Sequence, residues 1–134
     1  MECMATSDNV IRAGLTPKLR DVPNLISGLT YIPGHHSKHV VQSTPFSAHS
    51  KLYDPPIPEF AVIEVQLQAN ESDEHRPIEG PSIVSVTAGN GNLKWADESL
   101  LVVAGDVLFM GAGVGITLIS EREGLTLYRA FVEV

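Results

Sequence analysis

One cysteine, Cys3, stands in the 134 residues, so no disulfide can form within the chain. That sparse use of cysteine predicts a reducing, cytoplasmic location. No run approaches the roughly 18 consecutive apolar residues of a membrane-spanning helix. The N-terminus also lacks the basic-then-apolar order of a secretion signal. Basic residues are few: 9 Lys and Arg stand against 16 Asp and Glu, for a net charge of −7. Nonspecific attachment to nucleic acid, which needs clustered cations against phosphate, is therefore disfavoured. No internal repeat and no low-complexity segment is present. What remains is an ordinary globular composition, 43% apolar and 19% charged, of a length that suits one domain with a real core.

The chain changes character along its length. Residues 1–20 read as irregular or extended. Residues 21–31 predict a short helix: Asp21 is a good N-cap, Pro23 suits a first turn, and Val22, Leu25, Ile26 and Leu29 recur at helical spacing. Pro33-Gly34 would end it. Residues 32–58 are polar and punctuated by prolines, which favours an extended connection. From Phe60 the pattern becomes that of short strands. Ile63, Val65 and Leu67 alternate with Glu64 and Gln66. Residues 69–80 read as a charged loop, and Ser82–Thr87 as a second strand. Ala88-Gly89-Asn90-Gly91-Asn92 reads as a hairpin turn, because Asn-Gly favours positive φ angles. Leu93–Trp95, Leu100–Val103, Asp106–Met110, Ile116–Ser120 and Leu125–Val132 would follow as further strands. Short strands, glycine-rich turns and no second helix predict a mainly β fold, an antiparallel sandwich or barrel.

Several histidines invite a metal reading. His35, His36 and His39 follow Pro33-Gly34, where the helix has ended, with no Asp, Glu or Cys nearby, so they read as a solvated loop. Glu71-Ser72-Asp73-Glu74-His75 reads as a charged loop tip. After residue 60 there is no His-x-His pair and only His75. Any jelly roll formed there is expected to be metal-free. Gly111-Ala112-Gly113-Val114-Gly115 lacks the helix and the lysine of a phosphate-binding loop and reads as a turn. Cys3, with nothing adjacent to stabilise a thiolate, reads as a small buried residue.

The stretch with the most chemistry is Ser7-Asp8-Asn9-Val10-Ile11-Arg12-Ala13-Gly14-Leu15-Thr16-Pro17-Lys18. It holds an acid, an amide, two cations, a glycine and a proline in twelve residues. On composition alone it would be a solvated loop. With Glu2-Cys3-Met4-Ala5 before it and Asp21-Val22-Pro23 after it, it closely resembles the C-terminal signature of the type I, zinc-dependent phosphomannose isomerases. The run Tyr53-Asp54-Pro55-Pro56-Ile57-Pro58-Glu59-Phe60 resembles the same family. The likeness is looser from Ala61 to Val134, where it rests on strand rhythm and on Gly105-Asp106-Val107-Leu108-Phe109.

The resemblance implies a cupin-like antiparallel jelly roll over residues 60–134, joined through residues 21–59 to a strand and active-site loop, 1–20, that belongs to the catalytic half of a larger enzyme. It implies interconversion of mannose 6-phosphate and fructose 6-phosphate through an enediol, a reaction that supplies GDP-mannose. That reaction moves a proton between neighbouring carbons and leaves negative charge on two oxygens. It therefore needs a base, an electrophile and cations for the phosphate. The resemblance implies Arg12 as the catalytic arginine, with Asp8 and Lys18 in or beside the sugar-phosphate pocket. A planar, permanently charged guanidinium suits a phosphate or an enediolate. Gly14 and Pro17 would bend the chain to bring Arg12 and Lys18 near one site. Zinc is the implied cofactor, held in the family by a glutamine, two histidines and a glutamate that precede this signature, so no metal ligand is assigned here. The implied partner is the catalytic N-terminal half, and the chain by itself is expected to be inactive. A stand-alone, non-catalytic cupin that binds a sugar phosphate or a partner protein is the competing expectation. A cupin oxidoreductase or epimerase is opposed by the missing His-x-His pair.

Overall fold

The computed structural model describes residues 2–6 and 10–133 and is mainly antiparallel β. The chain forms two compact units, Met1–Cys3 with Val41–Val134, and Met4–Val40.

The larger unit carries eight strands: β1 (Thr44–Pro45), β2 (Ser50–Tyr53), β3 (Ala61–Leu67), β4 (Ser72–His75), β5 (Ser82–Trp95), β6 (Glu98–Val103), β7 (Val107–Met110) and β8 (Ile116–Phe131). Every pairing is antiparallel. The order is β1-β2-β3-β8-β5-β6, with β4 on β8 and β7 on β5. The two longest strands make this a jelly roll. β5 and β8 pair along nearly their whole length, and each shares its other edge between two shorter strands. On β8, Ile116–Ile119 takes β4 and Leu125–Phe131 takes β3. On β5, Ser82–Ser85 takes β7 and Asn90–Trp95 takes β6. One strand pair thus runs through both layers of a cupin-like roll.

The alternation read from the sequence places Ile63, Val65 and Leu67 inside, together with Val84, Val86, Leu93, Val102, Leu118, Leu125, Leu127 and Phe131. β3, β4, the first half of β5 and both ends of β8 bury every second side chain, because the pleat sends neighbours to opposite faces.

The larger unit departs from the sequence expectations in four places. Ala88–Asn92 is not a hairpin turn but the bent middle of β5, with register shifts at Val86/Ala88 and Gly89/Gly91. The turn lies at Ala96-Asp97, where Trp95 pairs with Glu98 and Ala96 takes φ 45°. Glu121–Gly124 likewise lies inside β8 rather than between strands. Gly89 (φ 74°) and Gly124 (φ 76°) face each other across these two bends. The glycines therefore serve a close approach of two backbones, which in a single sequence looks the same as a turn. The expected charged loop contains β4, and the expected extended connection contains β1 and β2.

In the smaller unit, α1 (Val22–Gly28) is shorter than expected. Asp21 caps it, its Oδ1 accepting from the Asn24 amide at 3.2 Å. The helix stops at Gly28, well before Pro33-Gly34, because glycine is a poor helix former. A single 3-10 turn, His36–His39, occupies the expected histidine loop, capped by the His35 ring. No described residue of 4–40 is buried. The helical apolar positions Val22, Ile26 and Leu29 are each about half exposed, and Leu15 and Leu19 are 101% and 89% exposed.

Candidate functional site

Arg12 is partly buried and Lys18 is exposed, both within the 4–40 unit. The Lys18 amide donates to Thr16 Oγ1 at 3.2 Å, which sets the turn around Pro17. Gly14 has open space around it. Asp8, the third residue of the sequence reading, lies outside the described residues. Cys3 is partly buried, and burial raises its thiol pKa, which opposes a reactive thiolate.

The larger unit contains a buried polar array that sequence reading did not find. Asp73 and His75 point inward from β4, and Arg129 points inward from β8. Asp73 Oδ2 accepts from Ser47 Oγ at 2.5 Å and from Ser50 Oγ. His75 Nε2 lies 2.9 Å from Ser50 Oγ and 3.5 Å from Asp73 Oδ2. Arg129 Nε donates to Ser82 Oγ at 3.0 Å. Burial pushes the Asp73 carboxyl up, but the two serine hydroxyls, His75 and the His49 backbone together hold it below its usual range. Asp73 is therefore a carboxylate. Ser50 gives its single proton to it, so Ser50 Oγ accepts from His75 Nε2–H and His75 Nδ1 keeps a lone pair.

Burial first, and the Arg129 charge in addition, bring His75 down to about 4, against the opposing pull of Asp73. Both His75 and Asp73 are closed to solvent, so this array cannot exchange a proton with a substrate and acts as a polar core. The unfolded chain binds a proton on His75 below about pH 6.5 that the folded chain refuses until about pH 4. Its contribution to stability is therefore complete above pH 6.5 and lost as pH falls to 4, by about 3 kcal/mol in all. Urea unfolding at fixed ionic strength is expected to show that fall, and His75→Gln is expected to flatten most of it.

The signal for this array was present. Leu125, Leu127, Arg129 and Phe131 share one strand face, and an arginine in that apolar register must be inside. Likewise Ser72 and Glu74 are exposed while Asp73 and His75 are buried.

On the outer face, Glu64 Oε2 accepts from the Tyr53 hydroxyl at 3.1 Å. Its Oε1 accepts from Tyr128 at 3.2 Å and from Gln66 Nε2 at 2.9 Å. Tyr53, Glu64 and Tyr128 border an open cleft of about 430 Å³ with Cys3, Phe60 and Val62. Among the described residues, no group of three His, Cys, Asp or Glu side chains could hold a metal ion, and no helix is long and apolar enough to cross a membrane.

Comparison with known proteins matches residues 50–98 to the family described as phosphomannose isomerase type I C-terminal. A mannose-6-phosphate isomerase of Cryptococcus neoformans is 48% identical over 99% of this chain and 31% of its own length. That of Saccharomyces cerevisiae is 44% identical over 99% of this chain and 32% of its own. A crystal structure of mannose 6-phosphate isomerase from Salmonella typhimurium, bound to its substrate and a zinc atom, superposes with a TM-score of 0.77. It is 24% identical and covers 98% of this chain and 32% of that one. The chain thus spans about a third of the length of the curated relatives it matches. It belongs to the type I phosphomannose isomerase family, as a C-terminal domain.

Proposed function

We propose that this chain is the C-terminal part of an enzyme that interconverts mannose 6-phosphate and fructose 6-phosphate through an enediol, in the cytoplasm and toward GDP-mannose. The observation that carries this reading is the 48% identity maintained over 99% of the chain, the Arg12 segment included. The exposure of the 4–40 unit supports it. Apolar side chains such as Leu15, Leu19 and Ile11 are not left in water without reason, and an uncovered apolar surface marks an interaction site. The surface that would cover them is the catalytic N-terminal half.

Residues 1–20 would complete that half. Arg12 stabilises the negative charge that builds on the enediolate oxygens, and Lys18 and Asp8 bind and orient the sugar phosphate. The jelly roll over 60–134 would serve packing, pocket closure or support of the catalytic half. The described residues do not fit a zinc site, so the zinc would be held outside them.

A coupled assay for mannose 6-phosphate isomerisation tests the reading. The 134 residues with added zinc are expected to be inactive. Exchanged for the corresponding third of the Saccharomyces cerevisiae enzyme, they are expected to support turnover within about tenfold of that enzyme. Turnover by the short chain alone would overturn the assignment of the missing groups. A folded but dead chimera would favour a stand-alone binding module.

A further inference from the structure

Directly paired residues of an antiparallel sheet point to the same side. The register lines up five of them across five strands: Tyr53 of β2 pairs with Val62 of β3, Val62 with Ala130 of β8, Ala130 with Ile83 of β5, and Ile83 with Phe109 of β7. A second row on the same side runs Lys51, Glu64, Tyr128, Ser85 and Val107. Ile63, Arg129 and Val84, which lie between the two rows in sequence, are buried on the opposite side. Both rows therefore look away from the core. The first carries no charge, and at the β5–β7 end the face is bare: Ile83, Val107 and Phe109 are 55%, 67% and 75% exposed.

The charges in the second row do not oppose a covering surface. Lys51 is exposed at the rim. Both oxygens of Glu64 already hold donors, from Tyr53, Tyr128 and Gln66, so covering it strands no acceptor. Among the described residues β7 pairs only with β5, which leaves its other edge open. Soluble proteins shield such an edge with Lys, Pro or a bulge, and Val107-Leu108-Phe109-Met110 has none of these. An aromatic and apolar centre with its charges at the rim is the composition of an interface, and a bare apolar patch marks one.

The occupant is indicated at the opposite end of the face. Cys3 borders the cleft there with Tyr53, Val62 and Tyr128. The matched relatives carry about two-thirds of their length outside the region this chain spans, and the match is to a C-terminal domain. In a longer member of the family, the polypeptide that precedes Cys3 thus enters beside this face. A second copy of the chain is a poorer occupant, because it would set a net charge of −7 against another −7. On the reading that the chain is the C-terminal part of a longer isomerase, we propose that this outer face is the surface of the jelly roll on which the N-terminal half docks, from Tyr53 across all five strands to the free edge of β7.

The test places one cysteine at a time: Phe109→Cys and Ile83→Cys on the face, and Leu101→Cys as the control, 60% exposed on β6 beyond the bend of β5. Each is made in the 134-residue chain and in the chimera with the Saccharomyces cerevisiae enzyme. Alkylation by iodoacetamide is timed by peptide mass spectrometry, which keeps Cys3 and the chimera's other cysteines apart. In the isolated chain all three positions are expected to label at similar rates. In the chimera the two face positions are expected to slow by about tenfold or more, because a covered thiol reacts only when its cover opens, while Leu101→Cys keeps its rate. Should the chimera fail to fold, the same labelling at the aligned positions of the Saccharomyces cerevisiae enzyme, 44% identical over this chain, carries the test. Turnover of the chimera reads the isomerase assignment separately. An active chimera whose face cysteines label as fast as in the isolated chain overturns the interface and leaves that assignment standing. Slow labelling in a folded but inactive chimera supports the interface and counts against the assignment. Equal slowing at Leu101→Cys overturns the choice of face. Face cysteines already slow in an isolated chain that sediments as a dimer give the face to a second copy and overturn the proposal.

Discussion

Arg12→Ala, placed in the chimera with the Saccharomyces cerevisiae enzyme, is expected to lower kcat by about 10²–10³-fold while KM changes less than about tenfold. The size follows from the role proposed for this side chain. A charge aimed at oxygens that become negative only as the enediolate forms acts on the transition state more than on the bound sugar. Losing one such preorganised group in a water-poor site costs about 3–4 kcal/mol of barrier. Arg12→Lys keeps the charge but loses the planar fork. It is expected to recover part of the rate and leave at least a roughly tenfold deficit. In the role proposed for it, Lys18, exposed in this structure, would be a point charge on the phosphate. Its removal should appear chiefly in KM. Steady-state kinetics on the three variants separates these roles. A large KM increase with unchanged kcat for Arg12→Ala would move Arg12 from the reacting carbons to the phosphate. Unchanged kinetics in a folded chimera would remove it from the site.

How much is legible without coordinates differs between the two units for a physical reason. The jelly roll announces itself through period-two alternation, and Ile63, Val65 and Leu67 are buried as that pattern demands. The helix at Val22–Gly28 announces itself through its cap, Asp21, which makes the bonds a cap should make. The length of the strands is not legible. Asn-Gly and Glu-Gly clusters carry the same local preference in a turn and in a sharp bend of a continuous strand. What decides between them is the partner strand, which is distant in sequence, as in the register of Gly89 with Leu125. The buried array escapes a reading by residue type, because type alone marks a charged residue as solvated. Asp73, His75 and Arg129 are inside because Ser47, Ser50 and Ser82 supply hydroxyls across strands, and long-range pairings of that kind leave little trace in local composition. For the segment proposed to enter the isomerase pocket the order is reversed. Arg12 and Lys18 stand out by motif, and the local geometry of their unit adds only that the segment is uncovered.

Gly89→Ala is expected to cost about 4 kcal/mol or more, enough to bring the chain near its unfolding threshold at 25 °C. Two effects add. Gly89 sits at φ 74°, where an L side chain carries roughly 1–2 kcal/mol of strain. A Cβ there would also overlap the carbonyl oxygen of Gly124, backbone against backbone, where no rotamer change can relieve it. Gly124 has the same constraint from its other side, since a Cβ on it would stand 2.7 Å from the Leu67 carbonyl oxygen. Relief would require β5 and β8 to spread apart at the bend where each passes from one layer of the roll to the other. That movement would also open the packing of Leu67, Val86 and Leu125. Gly105→Ala separates the two effects within the same protein. Gly105 has φ 100° with nothing within 4 Å of where a Cβ would stand, so substitution there brings strain without overlap and is expected to lose only about 1–2 kcal/mol. Urea midpoints followed by far-ultraviolet circular dichroism for the two variants give the difference directly. A Gly89→Ala loss no larger than that of Gly105→Ala would mean that the strand pair can part at little cost, and that the crossing of these two backbones does not hold the roll closed.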